Sequence, residues 1–137
     1  MSTNWEARIQ SVRRVLELDF DEIEKWFSLR GTKMPPIPTF PATGFIMEGV
    51  AAGFVYLTNS YVAIIDCYIS NPNSNMDLRN YALDLITEEL IKVARFHKCR
   101  LVKCDTKLEA VKQRAKKHGL TSMGEFESFA MEIKWEA

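Results

Sequence analysis

The stretch Gly44-Phe-Ile-Met-Glu-Gly-Val-Ala-Ala-Gly-Phe-Val-Tyr-Leu-Thr-Asn-Ser-Tyr-Val-Ala-Ile-Ile-Asp-Cys-Tyr-Ile-Ser70 decides the fold. β-Branched and aromatic residues are grouped there in short runs, and turn-forming residues separate the runs. This predicts a β-meander: a strand over Gly44–Glu48, a tight turn at Gly49-Val50, a strand over Ala51–Leu57, a turn at Asn59-Ser60, and a strand over Tyr61–Ser70. The third strand is apolar along nearly its whole length, as in a strand covered on both faces, and Asp66 interrupts it.

Upstream, residues 33–43 hold four of the five prolines, so they form a stiff connector into the sheet and not a helix or a central strand. Before them, Asp19 followed by Glu22 reads as a helix N-cap with a capping box. The helix then turns Phe20, Ile23, Trp26 and Phe27 inward and stops at Gly31. A first strand is expected near Ile9–Val15. Downstream, Asn71-Pro72-Asn73-Ser74-Asn75 is a polar loop that leads into a long helix over Asp77–Lys98. Leu78, Ala82, Leu85, Ile86, Val93, Ala94 and His97 lie on its inner face, with Arg79, Glu88, Lys92 and Arg95 outside. A short strand at Arg100–Cys104 follows. A helix at Leu108–His118 comes next, with Leu108, Val111 and Ala115 inward and Gly119 as its stop. Two closing strands are expected at Ser122–Phe126 and Ser128–Trp135.

This order gives an α/β (α+β) fold, a mixed and mainly antiparallel sheet with helices on both faces. The 137 residues fit a single domain over 1–137. Acidic and basic residues balance at 18 each, so the whole chain exerts no long-range pull toward nucleic acid or membrane. The balance is uneven along the chain: residues 91–120 carry ten Lys/Arg against Asp105 and Glu109, and Glu125, Glu127, Glu132 and Glu136 follow. The basic run is either a solvated helix surface or a face for an anionic ligand. Cys67, Cys99 and Cys104 form no CxxC pair, and with only His97 and His118 beside them no zinc signature exists. No signal-peptide core and no run long enough to span a bilayer is present, so reduced thiols and a cytoplasmic protein are expected.

The element order, together with Ala63-Ile-Ile-Asp-Cys-Tyr-Ile-Ser-Asn-Pro72, resembles the GNAT superfamily of acyl-CoA-dependent N-acyltransferases, and in particular its short members carried by bacteriophages. The resemblance covers Gly44 to Leu120. Ile69 to Pro72 matches the phrase that ends the family's fourth strand, Ala82-Leu83 a pair early in the next helix, and Gly119-Leu120 the closing Gly-Phe phrase. It implies an acyl-CoA cofactor such as acetyl-CoA and a small-molecule or protein amine as acceptor. Asp66 falls where many members carry a general base, and Tyr68 two residues on is the implied donor to the leaving thiolate. Set against this, an acid on a strand often only hydrogen-bonds to a turn or pairs with a lysine. Cofactor contacts are implied at Ile69, Ser70, Asn71, Ser74, Asn75, Arg79 and Asn80. The chain also departs from the family. The glycines of the pyrophosphate loop fall on Met76, Leu78 and Asn80, and the family's acid tyrosine falls on Ala115. These departures suit an alternative, a GNAT-fold protein without catalysis that binds a host protein, with the loop from Pro35 to Pro41, Trp5 and Trp135 as contact points. Nucleic-acid binding through the Lys112–Lys117 helix is the weakest reading. A monomer or homodimer fits either of the first two.

Overall fold

A computed structural model describes residues 12–134. It contains strand β1 (Arg13–Arg14), helix α1 (Phe20–Leu29), strands β2 (Thr43–Met47), β3 (Ala51–Leu57) and β4 (Val62–Ser70), helix α2 (Met76–Phe96), strand β5 (Leu101–Lys103) and helix α3 (Glu109–Lys117). The strands form one sheet in the order β1-β2-β3-β4-β5. The first three pairings are antiparallel, and β4 pairs with β5 in parallel across the α2 crossover. The expected mixed sheet is therefore present.

Its two faces bury separate clusters. On one, α2 lays Leu78, Ala82, Leu83, Ile86, Leu90 and Ala94 against Phe45, Met47, Val55, Ala63 and Ile65. On the other, α1 lays Ile23 and Trp26 against Ile46, Ala52, Phe54 and Ile69, with Phe40 from the proline-rich connector closing the cluster. The connector therefore does more than span a gap, because its Phe40 ring packs 5.0 Å from Phe54 and 5.2 Å from Phe20.

Several expectations shift locally. β1 covers only Arg13–Arg14, and residues 9–11 lie outside the described residues. The first hairpin turns at Glu48-Gly49, with Val50 N–H donating to Met47 O and Gly49 at φ 76°. Asp19 does not cap α1 forward. Its carboxylate reaches back to the Leu16 N–H at 2.7 Å and takes a two-pronged bond from Arg13 at 2.8 Å, while Arg13 also binds Glu48. The Arg13 hydrogen bonds hold the Asp19 carboxyl below its ordinary range against the opposing effect of burial. His97 and Leu108 are exposed, because α2 ends at Phe96 and α3 begins only at Glu109. Among the described residues the two closing strands do not form: residues 120–134 carry no helix or strand, and Trp135 lies outside the described residues. A strand needs a partner ladder, and none of the five strands pairs with this segment.

One irregularity positions the candidate site. Between the pairs Ala52↔Ile69 and Phe54↔Asp66, β3 supplies Gly53 alone while β4 supplies Cys67 and Tyr68. This is a β-bulge, and Cys67 carries the extra residue at φ 60°. Gly53 is what lets the Tyr68 ring lie flat against β3. A methyl group there would stand 2.9 Å from Tyr68 Cδ1 and 3.0 Å from Ile86 Cγ2. Gly53→Ala is accordingly expected to lower stability by about 1–3 kcal/mol through overpacking, read as a lower denaturation midpoint at unchanged slope.

Candidate functional site

The bulge separates two residues that simple alternation would place together. Asp66 pairs with Phe54 across the ladder and so projects from the α1 face, whereas Tyr68 packs into the α2 cluster. The two do not share a face, because the extra residue at Cys67 reverses the alternation. Asp66 is exposed, and its Oδ1 accepts the Cys67 N–H at 2.7 Å, which satisfies the amide that the bulge leaves without a ladder partner. Its second oxygen remains on the open face. Burial pushes the Cys67 thiol up to about 11, so it stays protonated and is no nucleophile at neutral pH.

Tyr68 is held from the other side. Its hydroxyl lies 2.6 Å from Thr87 Oγ1, and the Thr87 hydroxyl donates to Leu83 O at 2.7 Å. Thr87 has a single proton and spends it on Leu83, so Tyr68 is the donor in their bond. Burial pushes Tyr68 up to about 12, and the phenol keeps its proton.

β5 pairs with β4 only as far as Ile64↔Lys103, so the β4 edge from Ile65 to Ser70 has no β5 partner. The space beside that edge is closed by side chains: Tyr68, Thr87, Cys104, Val111 and Arg114 leave a cavity of about 10 Å³, room for one water at most. A larger cavity of about 250 Å³ opens on the α1 face. Phe20, Ile37, Phe40, Pro41 and Phe54 line it, with Glu17 as the one acid. Phe54 thus joins this cavity to the ladder position of Asp66.

The loop after β4 is closed on itself. Ile69 is buried in the α1 cluster, and Ser70 receives Arg30 through both its carbonyl, at 2.9 Å, and its hydroxyl, at 2.7 Å. Asn71 donates its side-chain amide to Gly49 O and accepts the Asn73 N–H, and Ser74 donates to Asn71 O. Asn75 caps α2 by accepting the Leu78 N–H at 3.1 Å. Arg79 does not face solvent as expected but folds back to donate to Pro72 O and Ser74 O, and Asn80 accepts a bond from Arg114. These implied cofactor residues do share one end of the sheet. With the positive end of α2 and Arg79 they form a cationic corner, and Asp77 in the first turn opposes it. A pyrophosphate would have to compete with Asn75 for the Leu78 N–H, so the corner accepts an anion only in part.

Sequence reasoning missed Arg30, Thr87, Asp84 and Arg114. Each works through a partner distant in the chain, which leaves no local signature. Asp84 on α2 ties down α3: it lies 2.6 Å from Lys117 Nζ, 3.2 Å from His118 Nε2 and 3.4 Å from Arg114 Nε. Burial opposes its ionisation. The hydrogen bonds from Lys117 and His118 and the nearby charges outweigh this and hold the carboxyl below its ordinary range. A lowered folded value means that this stabilisation is full above the unfolded carboxylate pKa and disappears as pH falls through the folded one. Asp84→Asn is expected to cost about 1–2 kcal/mol near neutral pH, a buried-pair value reduced because Lys117 is mostly exposed. The difference from the unmodified chain should vanish in acid below the ordinary carboxylate range, as followed by denaturant titrations across pH.

No sequence-family model matches the chain, and no curated protein matches it either. Solved structures do. An acetyltransferase from Trypanosoma brucei superposes with a TM-score of 0.68 at 14% identity, over 88% of this chain and 99% of that one. The fold is that of the GNAT-like acetyltransferases. An aminoglycoside acetyltransferase from an uncultured soil metagenomic sample, in complex with sisomicin, shares the GNAT-like fold with a TM-score of 0.64 at 13% identity, over 90% and 96% of the two chains. AAC(6')-Iy, in complex with the bisubstrate analogue CoA-S-monomethyl-acetylneamine, does so with a TM-score of 0.57 at 10% identity, over 90% and 98%. Identities this low establish the GNAT-like fold and leave the chemistry to be argued from the site. Among the described residues, no helix is long and apolar enough to cross a membrane.

Proposed function

We propose that this chain is an N-acyltransferase of the short type carried by bacteriophages, moving an acyl group from acyl-CoA, with acetyl-CoA the simplest donor, to an amine. The observation that carries the reading is the bulged β4. It leaves the backbone from Ile65 to Ser70 unpaired with β5 and sets the Asp66 carboxylate on the open face, one ladder position from a cavity large enough for a small acceptor. In this reading Asp66 takes the proton from the attacking ammonium, directly or through water. The amine nitrogen bonds to the thioester carbonyl carbon and the carbon–sulfur bond breaks. The thiolate takes a proton from Tyr68 or solvent, and the surplus proton left on the nitrogen departs through solvent, which restores the Tyr68 phenol. Tyr68 would give up its bond to Thr87 to donate. Ile69, Ser70 and Asn71 would offer main-chain contacts to the pantetheine arm, and Ser74, Asn75, Arg79 and Asn80 would face the phosphates. In this reading the chain works in the cytoplasm, that of the bacterial host for a phage protein.

A second reading rests on different observations, the filled space beside β4 and the self-satisfied loop: a GNAT-like scaffold that binds a host protein without catalysis. The two are separated by incubating the protein with acetyl-CoA and a panel of primary amines and following N-acetyl product by mass spectrometry. Product above the uncatalysed background is expected. Its absence for every amine, with the protein folded, favours the binding protein.

A further inference from the structure

The segment after α3 holds five large apolar side chains in the open: Met123, Phe126, Phe129, Met131 and Ile133 are between 67% and 87% exposed. Five large apolar side chains left open within residues 123–133 are unusual on a chain that stays alone in water. From Phe129 the pattern is Phe-Ala-Met-Glu-Ile-Lys, with Phe129, Met131 and Ile133 on one side and Glu132 and Lys134 on the other, and the sequence repeats the step at Trp135. This is the pattern of a half-buried strand, present without a ladder. The same chain has an edge that lacks a strand. Among the described residues nothing pairs with the outer side of β5, where Leu101 is exposed. The charges are complementary: Glu125, Glu127 and Glu132 lie in the free segment, and Arg100, Lys103 and Lys107 flank the β5 edge.

We infer that residues 126–134 form a strand on the β5 edge of a second copy of this chain, and that the second copy returns its own segment in a closed twofold dimer. Each chain carries both halves of the pairing, an amphipathic acidic strand and a basic vacant edge, which is what an isologous exchange requires. The amides of the segment gain ladder partners, and its apolar side is covered.

Light scattering and sedimentation of the full chain at micromolar concentration test this. The expected mass is twice the 15.8 kDa of one chain. Phe129→Glu with Ile133→Glu should halve that mass while the helical circular dichroism and the thermal midpoint of the single chain persist, since both side chains are exposed within one chain. Only the strand signal of the exchanged segments should fall. Hydrogen exchange should find the amides of residues 126–134 protected in the parent and unprotected in the double variant. A single-chain mass overturns the inference, as does a dimer that survives both substitutions. A single-chain mass with protected amides also overturns it, because the segment would then be folding back onto its own edge.

Discussion

An Asp66→Asn variant is expected to transfer acyl groups about 10²–10⁴-fold more slowly than the parent, the range lost when a positioned base is removed. The substitution is a narrow probe for a structural reason. Asp66 has two tasks in this fold: one oxygen accepts the Cys67 N–H at the bulge, and the other faces the open side of the sheet. An asparagine carbonyl continues the first task and cannot perform the second. The bulge, the φ of Cys67 and the Tyr68 packing should therefore survive, and the thermal midpoint should stay close to that of the parent. Steady-state rates with saturating acyl-CoA are the measurement. Comparable turnover in the variant removes Asp66 from the mechanism and leaves it a backbone-capping acid.

The second large effect is on stability. Phe54→Ala is expected to lower the unfolding free energy by about 3–5 kcal/mol, the range for deleting a buried aromatic ring. Phe54 is 1% exposed and packs 5.0 Å from Phe40 and 6.2 Å from Phe20, so its removal dissolves the contact between α1, the proline-rich connector and the sheet. Neither neighbouring ring can fill the space cheaply, because Phe20 and Phe40 also wall the larger cavity and the new void would open into it. Against a total of about 5–15 kcal/mol for a domain this size, the loss is a large fraction. Urea titration gives the figure. A cost under about 1 kcal/mol would mean that the connector repacks freely and that the α1-side cluster is not the unit described here.

Phe54 and Asp66 also mark what the sequence makes legible. The meander from Gly44 to Ser70 can be read because its apolar runs are broken by residues suited to turns. Helix α2 can be read because its apolar residues recur with helical spacing through Ala94. The bulge cannot: Ile65-Asp-Cys-Tyr-Ile69 alternates like any strand, and only the left-handed backbone at Cys67 and the unmatched Gly53 opposite reveal the extra residue. That is why alternation alone would set Tyr68 beside Asp66, whereas it lies on the other face. Residues 122–134 mislead in the opposite way. Their alternation is truly strand-like, but a strand forms only where a ladder partner exists, which no property of the segment itself discloses. The cofactor loop was expected to offer Ser74, Asn75 and Arg79 to a ligand, yet these polar groups first satisfy the turn they belong to. The contacts of Arg30 with Ser70 and of Asp84 with His118 join positions 40 and 34 residues apart, beyond any local pattern.

The central claim is that the unpaired β4 edge and the corner formed by Arg79 and the α2 N-terminus take acyl-CoA. The most direct test is calorimetric titration of the purified protein with acetyl-CoA and, in parallel, with free CoA. Micromolar binding of both is expected, with α3 moving enough to open the space now closed by Tyr68, Cys104 and Arg114. Absence of heat at millimolar concentrations of either would contradict the acyltransferase reading, leave the GNAT-like fold standing, and turn the search toward a protein partner.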